Sequence, residues 1–330
     1  MHPLTIFFNW LKRIDFSLAL EREHIDERAL TDWYPDWMYE LMETDEVRVG
    51  AYAGAVSNAV AGRAVLELGV GRKALWALFS AKAGARRVYG VEANRRAFEA
   101  SQAAVEAAGA GNVHLVHGFS DQVRLPELCE VLVHDLVGDI GSSEGMVPFV
   151  ADARTRFLTP DAVHIPFRCV TDARLCEDPR LNPAEWALSW LLREGKPYAQ
   201  LSFVRFFGFP EAAVLAEPAV FEDLWLASAT PGLTRREVDF RIRRDGLLRG
   251  VCLSIRLFLD EDHAVDTFES HTSWATPFVR LQAATPVKAG ETITMTVEAD
   301  LSASPAYELA LSRRTDGEAV EIGRYAWSGD

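Results

Sequence analysis

The chain has 330 residues, of which 49% are hydrophobic and 25% charged, so it can form two globular domains and is too apolar to be disordered. Its formal net charge of −14 excludes nonspecific binding to nucleic acid or to an anionic membrane surface. No stretch approaches the roughly 20 apolar residues of a membrane-spanning helix. Four cysteines without CxxC spacing argue against a zinc site and a disulfide framework, and they predict a reducing, cytoplasmic compartment.

Residues 1–60 are predicted to be helical and to form a lid next to the first domain. The opening segment is apolar, but it has no basic start and no small-residue cleavage site. It is therefore interpreted as a packing helix and not as a signal peptide. An aromatic cluster follows, with Trp33, Tyr34, Trp37 and Tyr39. This cluster either packs in a core or closes over a bound ligand.

Residues 65–94 have the pattern of a strand, a glycine turn, a helix and a second strand. Gly69 and Gly71 allow the turn to bend sharply and a ligand to approach the backbone, and the next helix begins with free N–H groups. Glu92 ends the second strand, where a carboxylate can accept hydrogen bonds from ribose hydroxyls. The segment predicts a nucleoside cofactor site, although residues 72–74 read Arg-Lys-Ala where a dinucleotide fingerprint has a third glycine.

The alternation of helices and strands continues to residue 165. It predicts helices over 95–108 and 145–156, strands over 113–116, 130–134 and 162–165, and a turn at 159–161. Three strands end at or near an acid: Glu92, Asp121 and Asp135. Because the carboxyl ends of parallel strands meet at one edge of a sheet, these carboxylates are expected to surround a ligand. Each acid alone could instead be a helix cap or a solvated turn residue.

Beyond Pro166 the pattern changes to strands alone. Alternating apolar residues predict strands near 238–242, 247–259, 278–281, 291–298, 309–311 and 322–325, with hairpin turns at 245–246 and 316–317. The result is an antiparallel barrel or sandwich. A helix beginning at Asn182-Pro183 and closed by Gly195 interrupts it, either as an interaction arm or as local core packing. The predicted domains are 1–60, 61–165 and 166–330, with the helical insert at 183–195.

Together these residues resemble the protein arginine methyltransferase family of S-adenosylmethionine enzymes. The resemblance covers roughly residues 33–297 and is strongest over 45–144. It rests on DEVR at 45–48, LELGVG at 66–71, Val91-Glu92-Ala93, Ser120-Asp121, and the acids Asp135 and Glu144. These two acids keep the family's spacing of nine, with Gly138 between them. Thr272-Ser273-Trp274 corresponds to a threonine–histidine–tryptophan loop.

The resemblance implies an α/β, Rossmann-like class I methyltransferase domain followed by a mostly antiparallel β-barrel domain with a helical arm. It assigns cofactor binding to Met42, Arg48, Glu67, Gly69, Gly71, Glu92, Ser120 and Asp121. It makes Asp135 and Glu144 catalytic and places Trp33, Tyr34, Ser273 and Trp274 at the substrate. The implied cofactor is S-adenosylmethionine, the partner is a cationic arginine-like substrate, and the arm implies a homodimer. No metal is expected.

The chemistry of a guanidinium explains why two acids are needed. The group is protonated, with a pKa above ~12, and its lone pairs are delocalised, so it is a poor nucleophile. Two carboxylates can clamp it, hold the charge to one side and aim the other nitrogen at a methyl donor.

Two departures leave the methyl acceptor open. Asp135 is one methylene shorter than the family's glutamate, and Ser273 replaces the loop histidine, with His271 two residues away. The acceptor could be arginine in a protein, free arginine or another small amine. A non-catalytic cofactor-binding partner is a second alternative, and a dinucleotide oxidoreductase is a poorer third.

Overall fold

The computed structural model describes residues 2–12, 18–21, 36–192, 202–315 and 318–328. Its helices are α1 (Pro3–Lys12), α2 (Asp36–Glu43), α3 (Glu46–Ala59), α4 (Leu75–Lys82), α5 (Arg95–Ala107), α6 (Met146–Arg156) and α7 (Pro183–Leu192). The first strands are β1 (Leu18–Glu21), β2 (Ala64–Leu68), β3 (Arg87–Glu92), β4 (Val113–His117), β5 (Cys129–His134), β6 (Leu158–Ile165), β7 (Arg168–Cys176) and β8 (Phe203–Phe207). The others are β9 (Ala219–Trp225), β10 (Leu233–Arg241), β11 (Gly246–Phe258), β12 (Ala264–Asp266), β13 (Thr276–Val287), β14 (Thr292–Asp300), β15 (Ala306–Thr315) and β16 (Glu318–Ser328). Trp33, Tyr34, Gly195 and the predicted turn at 316–317 lie outside the described residues.

A parallel sheet forms the first unit, in the order β4-β3-β2-β5-β6. Every residue of β2 is buried, as expected for a parallel strand covered on both faces. The strand order reverses at β2, which lies between β3 and β5. A crevice therefore forms beyond the carboxyl ends of these three strands, where ligands bind in such sheets. The predicted α/β unit is confirmed.

Two antiparallel sheets form the second unit, and they confirm the predicted β domain. One has the order β1-β8-β13-β11-β7-β9, with β12 on β11, and the other has the order β10-β14-β15-β16. The sheets approach each other where β10 lies against β9 and β16 lies against β13, so they enclose one core in a barrel-like arrangement. The prediction that residues 1–60 are helical is wrong for Leu18–Glu21, which pair with β8. A free strand edge in the second unit determines this pairing, and local sequence does not report it.

The predicted hairpin at residues 245–246 is also wrong. β10 pairs with β14, whereas β11 pairs with β7, β12 and β13, so the chain crosses from one sheet to the other at this turn. Asp-Gly specifies a tight reversal, but the sheet that the next strand joins depends on long-range burial.

The turn predicted at residues 159–161 lies inside β6. The ladder with β5 passes from the pair Cys129–Leu158 to the pair Val131–Val163, so the residues between them bulge out. Pro160 lies in this bulge, where its missing N–H removes no ladder hydrogen bond.

Two helices begin at residues whose side chains cap the first backbone N–H groups of the helix. Asp45 caps α3, because its carboxylate accepts the N–H of Arg48 at 3.2 Å. Asn182 and Glu185 form a reciprocal capping box at the start of α7, with distances of 3.0 and 2.7 Å. The predicted start of the arm helix is therefore confirmed. Among the described helices, none has both the length and the apolar character needed to cross a membrane.

Candidate active site

A cavity of about 710 Å³ opens at the carboxyl ends of β2, β3 and β5. Most of the predicted site residues line it: Met42, Arg48, Gly69, Gly71, Glu92, Ser120, Asp121, Asp135 and Glu144. The tertiary structure thus brings together motifs that are separated by up to about a hundred residues along the chain. The size suits a ligand of nucleoside-cofactor dimensions.

The glycine turn and Glu92 form one wall of this cavity. Gly69 and Gly71 have φ angles of +76° and +67°, which favour glycine. Glu92 accepts the N–H groups of Gly71 and Asn94, each at 2.7 Å, so its carboxylate is held firmly against the turn. Burial raises the pKa of Glu92. Ala74 adopts φ +48°, so the turn keeps a left-handed residue without a third glycine.

Arg48 and Asp135 form a buried ion pair at the opposite wall. The guanidinium Nε donates to Asp135 Oδ2 at 2.7 Å, and Nη2 contacts the same oxygen. Nη1 donates to Ser273 Oγ at 3.1 Å, and the guanidinium carbon lies 4.6 Å from the ring centroid of Trp274. Asp135 Oδ1 is buried and accepts no hydrogen bond from the described residues. This oxygen is therefore available to a donor in the cavity.

Two residues that were predicted to bind the substrate do not line the cavity. Ser273 and Trp274 were expected at the substrate. They instead hold Arg48 and the acidic loop (residues 135–144), since Ser273 accepts a hydrogen bond from Arg48 and the Trp274 indole N–H donates to the Val137 carbonyl at 2.6 Å. His271 does not line the cavity either. Ser273 and Trp274 belong to the second unit and reach Arg48 and Val137 of the first, because the two units pack together at this point.

Glu67 is also placed differently from the expected cofactor contact. It is only 1% exposed, and its carboxylate lies beneath the first turn of α4. The N–H groups of Trp76 and Ala77 face it without an aligned hydrogen bond. Burial raises the pKa of Glu67 well above its usual range. The physical reason is that successive side chains of a strand point to opposite faces of the sheet, so the side chain of residue 67 points towards α4 and away from the crevice.

Helix α2 lies over the glycine turn. Its Tyr39 lines the cavity, and burial together with the Glu92 charge raises the pKa of the Tyr39 hydroxyl. Arg72 pairs with Asp36 at 2.9 Å and Lys73 pairs with Glu43 at 2.5 Å. The two cations near the missing third glycine therefore tie α2 to the turn.

Sequence reasoning missed part of the wall. Ser302, Ala303 and Ser304 line the cavity from the loop between β14 and β15, and Pro148 and Phe149 line it from α6. The serine loop lies more than 150 residues from Glu144 in the chain and carries no motif. Only the packing of the second unit on the first could reveal it.

Two histidines lie in the sheet next to the cavity. His134 ends β5 just before Asp135, and its ring nitrogens have no hydrogen-bond partner among the described residues. Burial lowers the pKa of His134 to about 3 and that of His164, on β6, to about 4. Both rings are therefore neutral near pH 7 and place no positive charge next to the cavity. In the described part of the chain, no group of three or more His, Cys, Asp or Glu side chains could hold a metal ion.

Comparison with known proteins finds sequence similarity to protein arginine N-methyltransferases. Protein arginine N-methyltransferase PRMT10 of Oryza sativa subsp. japonica is 38% identical over 128 residues, which are 38% of this chain and 33% of the relative. PRMT10 of Arabidopsis thaliana is 37% identical over 129 residues, with the same two shares. Protein arginine N-methyltransferase 1 of Chlamydomonas reinhardtii is 30% identical over 161 residues, 46% of each chain. The matched part of this chain thus spans about a third of the length of the PRMT10 relatives. No protein-family model matches the chain.

Solved structures match over a longer stretch. Arabidopsis thaliana protein arginine methyltransferase 10 superposes with a TM-score of 0.72 at 19% identity, covering 88% of this chain and 96% of that one. The Trypanosoma brucei PRMT1 enzyme–prozyme heterotetrameric complex with AdoHcy gives a TM-score of 0.71 at 15% identity, covering 88% and 97%. The shared fold is a Rossmann-like α/β domain followed by a β-barrel domain. The chain is thus similar in fold to protein arginine methyltransferases over most of its length, and similar to them in sequence over the matched stretch.

Proposed function

We propose that this protein transfers a methyl group from S-adenosylmethionine to a guanidino nitrogen of arginine, either free or within a peptide. The observation that carries the proposal is the acidic loop. Asp135 and Glu144 open into the same cavity as Glu92 and the glycine turn. The names of the relatives support arginine as the acceptor in preference to another amine.

The residues present fit S-adenosylmethionine. The hydroxyl of Ser120 lines the cavity and has no hydrogen-bond partner among the described residues, so it can serve a ligand. Glu92 would hold the ribose hydroxyls, Ser120 and Asp121 the adenine, and Arg48 the carboxylate, with Gly69, Gly71 and Met42 against the ligand. When bound, the cofactor supplies a methyl group activated by a sulfonium.

The acidic loop would hold and orient the acceptor. Asp135 Oδ2 is already bound by Arg48, whereas Oδ1 is free for an N–H of the substrate guanidinium. Glu144 supplies a second carboxylate. A charge pair ~4 Å apart contributes roughly 4 kcal/mol at an effective dielectric near 20, and alignment for attack adds to it. The carboxylates can also accept the proton that the guanidinium must lose on methylation.

A turnover assay read by mass spectrometry tests the proposal. Purified protein and S-adenosylmethionine are offered free arginine, an arginine-glycine-rich peptide or a lysine peptide. We expect methylation of at least one guanidine and none of lysine, and a loss of at least about 100-fold in turnover for Glu144→Gln, with cofactor affinity within a few fold. Methylation of lysine, no transfer to any guanidine while the cofactor binds, or normal turnover of Glu144→Gln would contradict the proposal.

Self-association through the arm belongs to the same proposal. On α7, Trp186 and Trp190 are 52% and 43% exposed, and their rings stack with centroids 6.3 Å apart. Leu191 beside them is 67% exposed. A rigid aromatic surface of this kind is typical of an interface. A homodimer in which α7 binds the partner is the assembly that this surface supports.

A further inference from the structure

A buried polar network joins the acidic loop to the second unit. Glu222 on β9 is only 8% exposed and accepts the N–H of Ser142 at 3.0 Å and its hydroxyl at 2.6 Å. Thr171 on β7 donates its hydroxyl to Glu222 at 2.7 Å and accepts the N–H of Gly141 at 3.0 Å. The Tyr307 hydroxyl on β15 lies 2.7 Å from that of Ser142. Three strands of the second unit thus contact two adjacent loop residues.

The hydrogen bonds of this network all end on one carboxylate. Gly141 donates to Thr171, which donates to Glu222. With the Tyr307 hydroxyl as donor, Ser142 accepts from Tyr307 and donates to Glu222. Burial raises the pKa of Glu222, while the hydrogen bonds from Ser142 and Thr171 lower it. Removing this acceptor would leave several buried donors without a partner.

The loop also fits against Glu222 sterically. A Cβ added at Gly141 would lie 2.6 Å from Cys169 Sγ and 2.9 Å from Glu222 Oε1. A side chain at this position would displace the Cys169 thiol and the Glu222 carboxylate. The backbone of the loop is therefore held in direct contact with β7 and β9 at its middle.

We propose that Glu222 is a positioning residue, which holds the middle of the acidic loop so that Asp135 and Glu144 keep the geometry needed for methyl transfer. This inference rests on the proposed function. The loop is anchored near its start by Trp274, which binds Val137, and by Ala275, whose N–H donates to Asp139 at 2.7 Å. Glu222 anchors Ser142, which lies two residues before Glu144. A displacement of about 1 Å at reacting groups can cost on the order of 100-fold in rate.

Three variants separate positioning from stability. Glu222→Leu removes the acceptor at similar volume, and Glu222→Gln keeps one acceptor oxygen for Ser142 and Thr171. The matched control is Asp172→Asn on β7, since Asp172 is 3% exposed and is paired with Arg256 at 2.6 and 3.0 Å, away from the loop. We expect kcat to fall about 30-fold in Glu222→Leu and by less than about fivefold in Glu222→Gln. The KM for the cofactor should stay within about threefold, and Asp172→Asn should lower Tm without lowering kcat.

A second measurement does not depend on activity. Hydrogen–deuterium exchange over residues 138–145 should speed up at least about tenfold in Glu222→Leu and stay unchanged in Asp172→Asn. Unchanged exchange in Glu222→Leu, or a loss of kcat no larger than in the control, would overturn the inference. If the wild-type protein methylates no guanidine, the proposed function fails, and exchange alone decides whether Glu222 positions the loop.

Discussion

At the scale of single residues, the cavity wall depends on glycines whose backbone angles other residues rarely adopt. Gly69 has φ +76°, and a Cβ there would lie 3.0 Å from Leu136 Cδ2. Gly84 has φ +92°, with nothing within 4 Å of an added Cβ. Both Gly69→Ala and Gly84→Ala should lower the free energy of unfolding by about 1 kcal/mol, measured by urea denaturation, because both force an L-residue into the left-handed region.

Of these two glycines, only Gly69 lines the cavity, so Gly84→Ala serves as a control for the backbone strain. Gly69→Ala should weaken S-adenosylmethionine binding about tenfold or more in a calorimetric titration, because the added methyl group displaces the Leu136 side chain and narrows the cavity. Gly84→Ala should bind like the wild type. Equal affinities for the two variants would show that the turn does not contact the cofactor.

At the scale of elements, the adjacent strands β5 and β6 carry two buried neutral histidines. The pKa values of about 3 for His134 and about 4 for His164 lie below that of an unfolded histidine, near 6.5. Unfolding therefore takes up protons below pH 6.5, so the free energy of unfolding should fall as the pH falls. At pH 5 the loss is about 2 kcal/mol for each histidine. The nearby Arg154 adds to the effect at His164.

His134→Leu tests this origin of acid sensitivity, because leucine fills a similar volume and does not titrate. Urea denaturation at pH 8 and at pH 5 should show a drop in stability that is about 2 kcal/mol smaller in the variant than in the wild type. The same drop in both proteins would mean that His134 is not responsible.

At the scale of the whole molecule, the exposed aromatic surface of α7 predicts the state of association. Wild-type protein should sediment as a dimer, and the double variant Trp186→Glu, Trp190→Glu should sediment as a monomer, because charge on a buried interface is costly. Trp225→Glu is the matched control, since Trp225 is 48% exposed on β9, outside the arm. A monomeric wild type, or a double variant that stays dimeric, would contradict the role of the arm.

Patterns set by near neighbours could be read from the sequence alone. The glycine turn with Glu92 at its end and the start of the arm helix at Asn182 are local patterns. Each depends on hydrogen bonds between residues a few positions apart, or on the spacing of apolar side chains along one element. Because the carboxyl ends of parallel strands meet at one edge of a sheet, the sequence also predicted that Glu92, Asp121 and Asp135 lie around one cavity. The resemblance to arginine methyltransferases added Glu144 as the partner of Asp135.

Other features were decided only by the tertiary structure. The partner of β10, the orientation of Glu67 towards α4, the serine loop at 302–304 and the contact between Glu222 and Ser142 all join distant parts of the chain. Such contacts depend on which buried surfaces and free sheet edges match once the two units pack, and no spacing in the sequence encodes that match. The sequence by itself therefore determined which residues we propose for the chemistry of the site, whereas the packing of the second unit decided how the acidic loop is held.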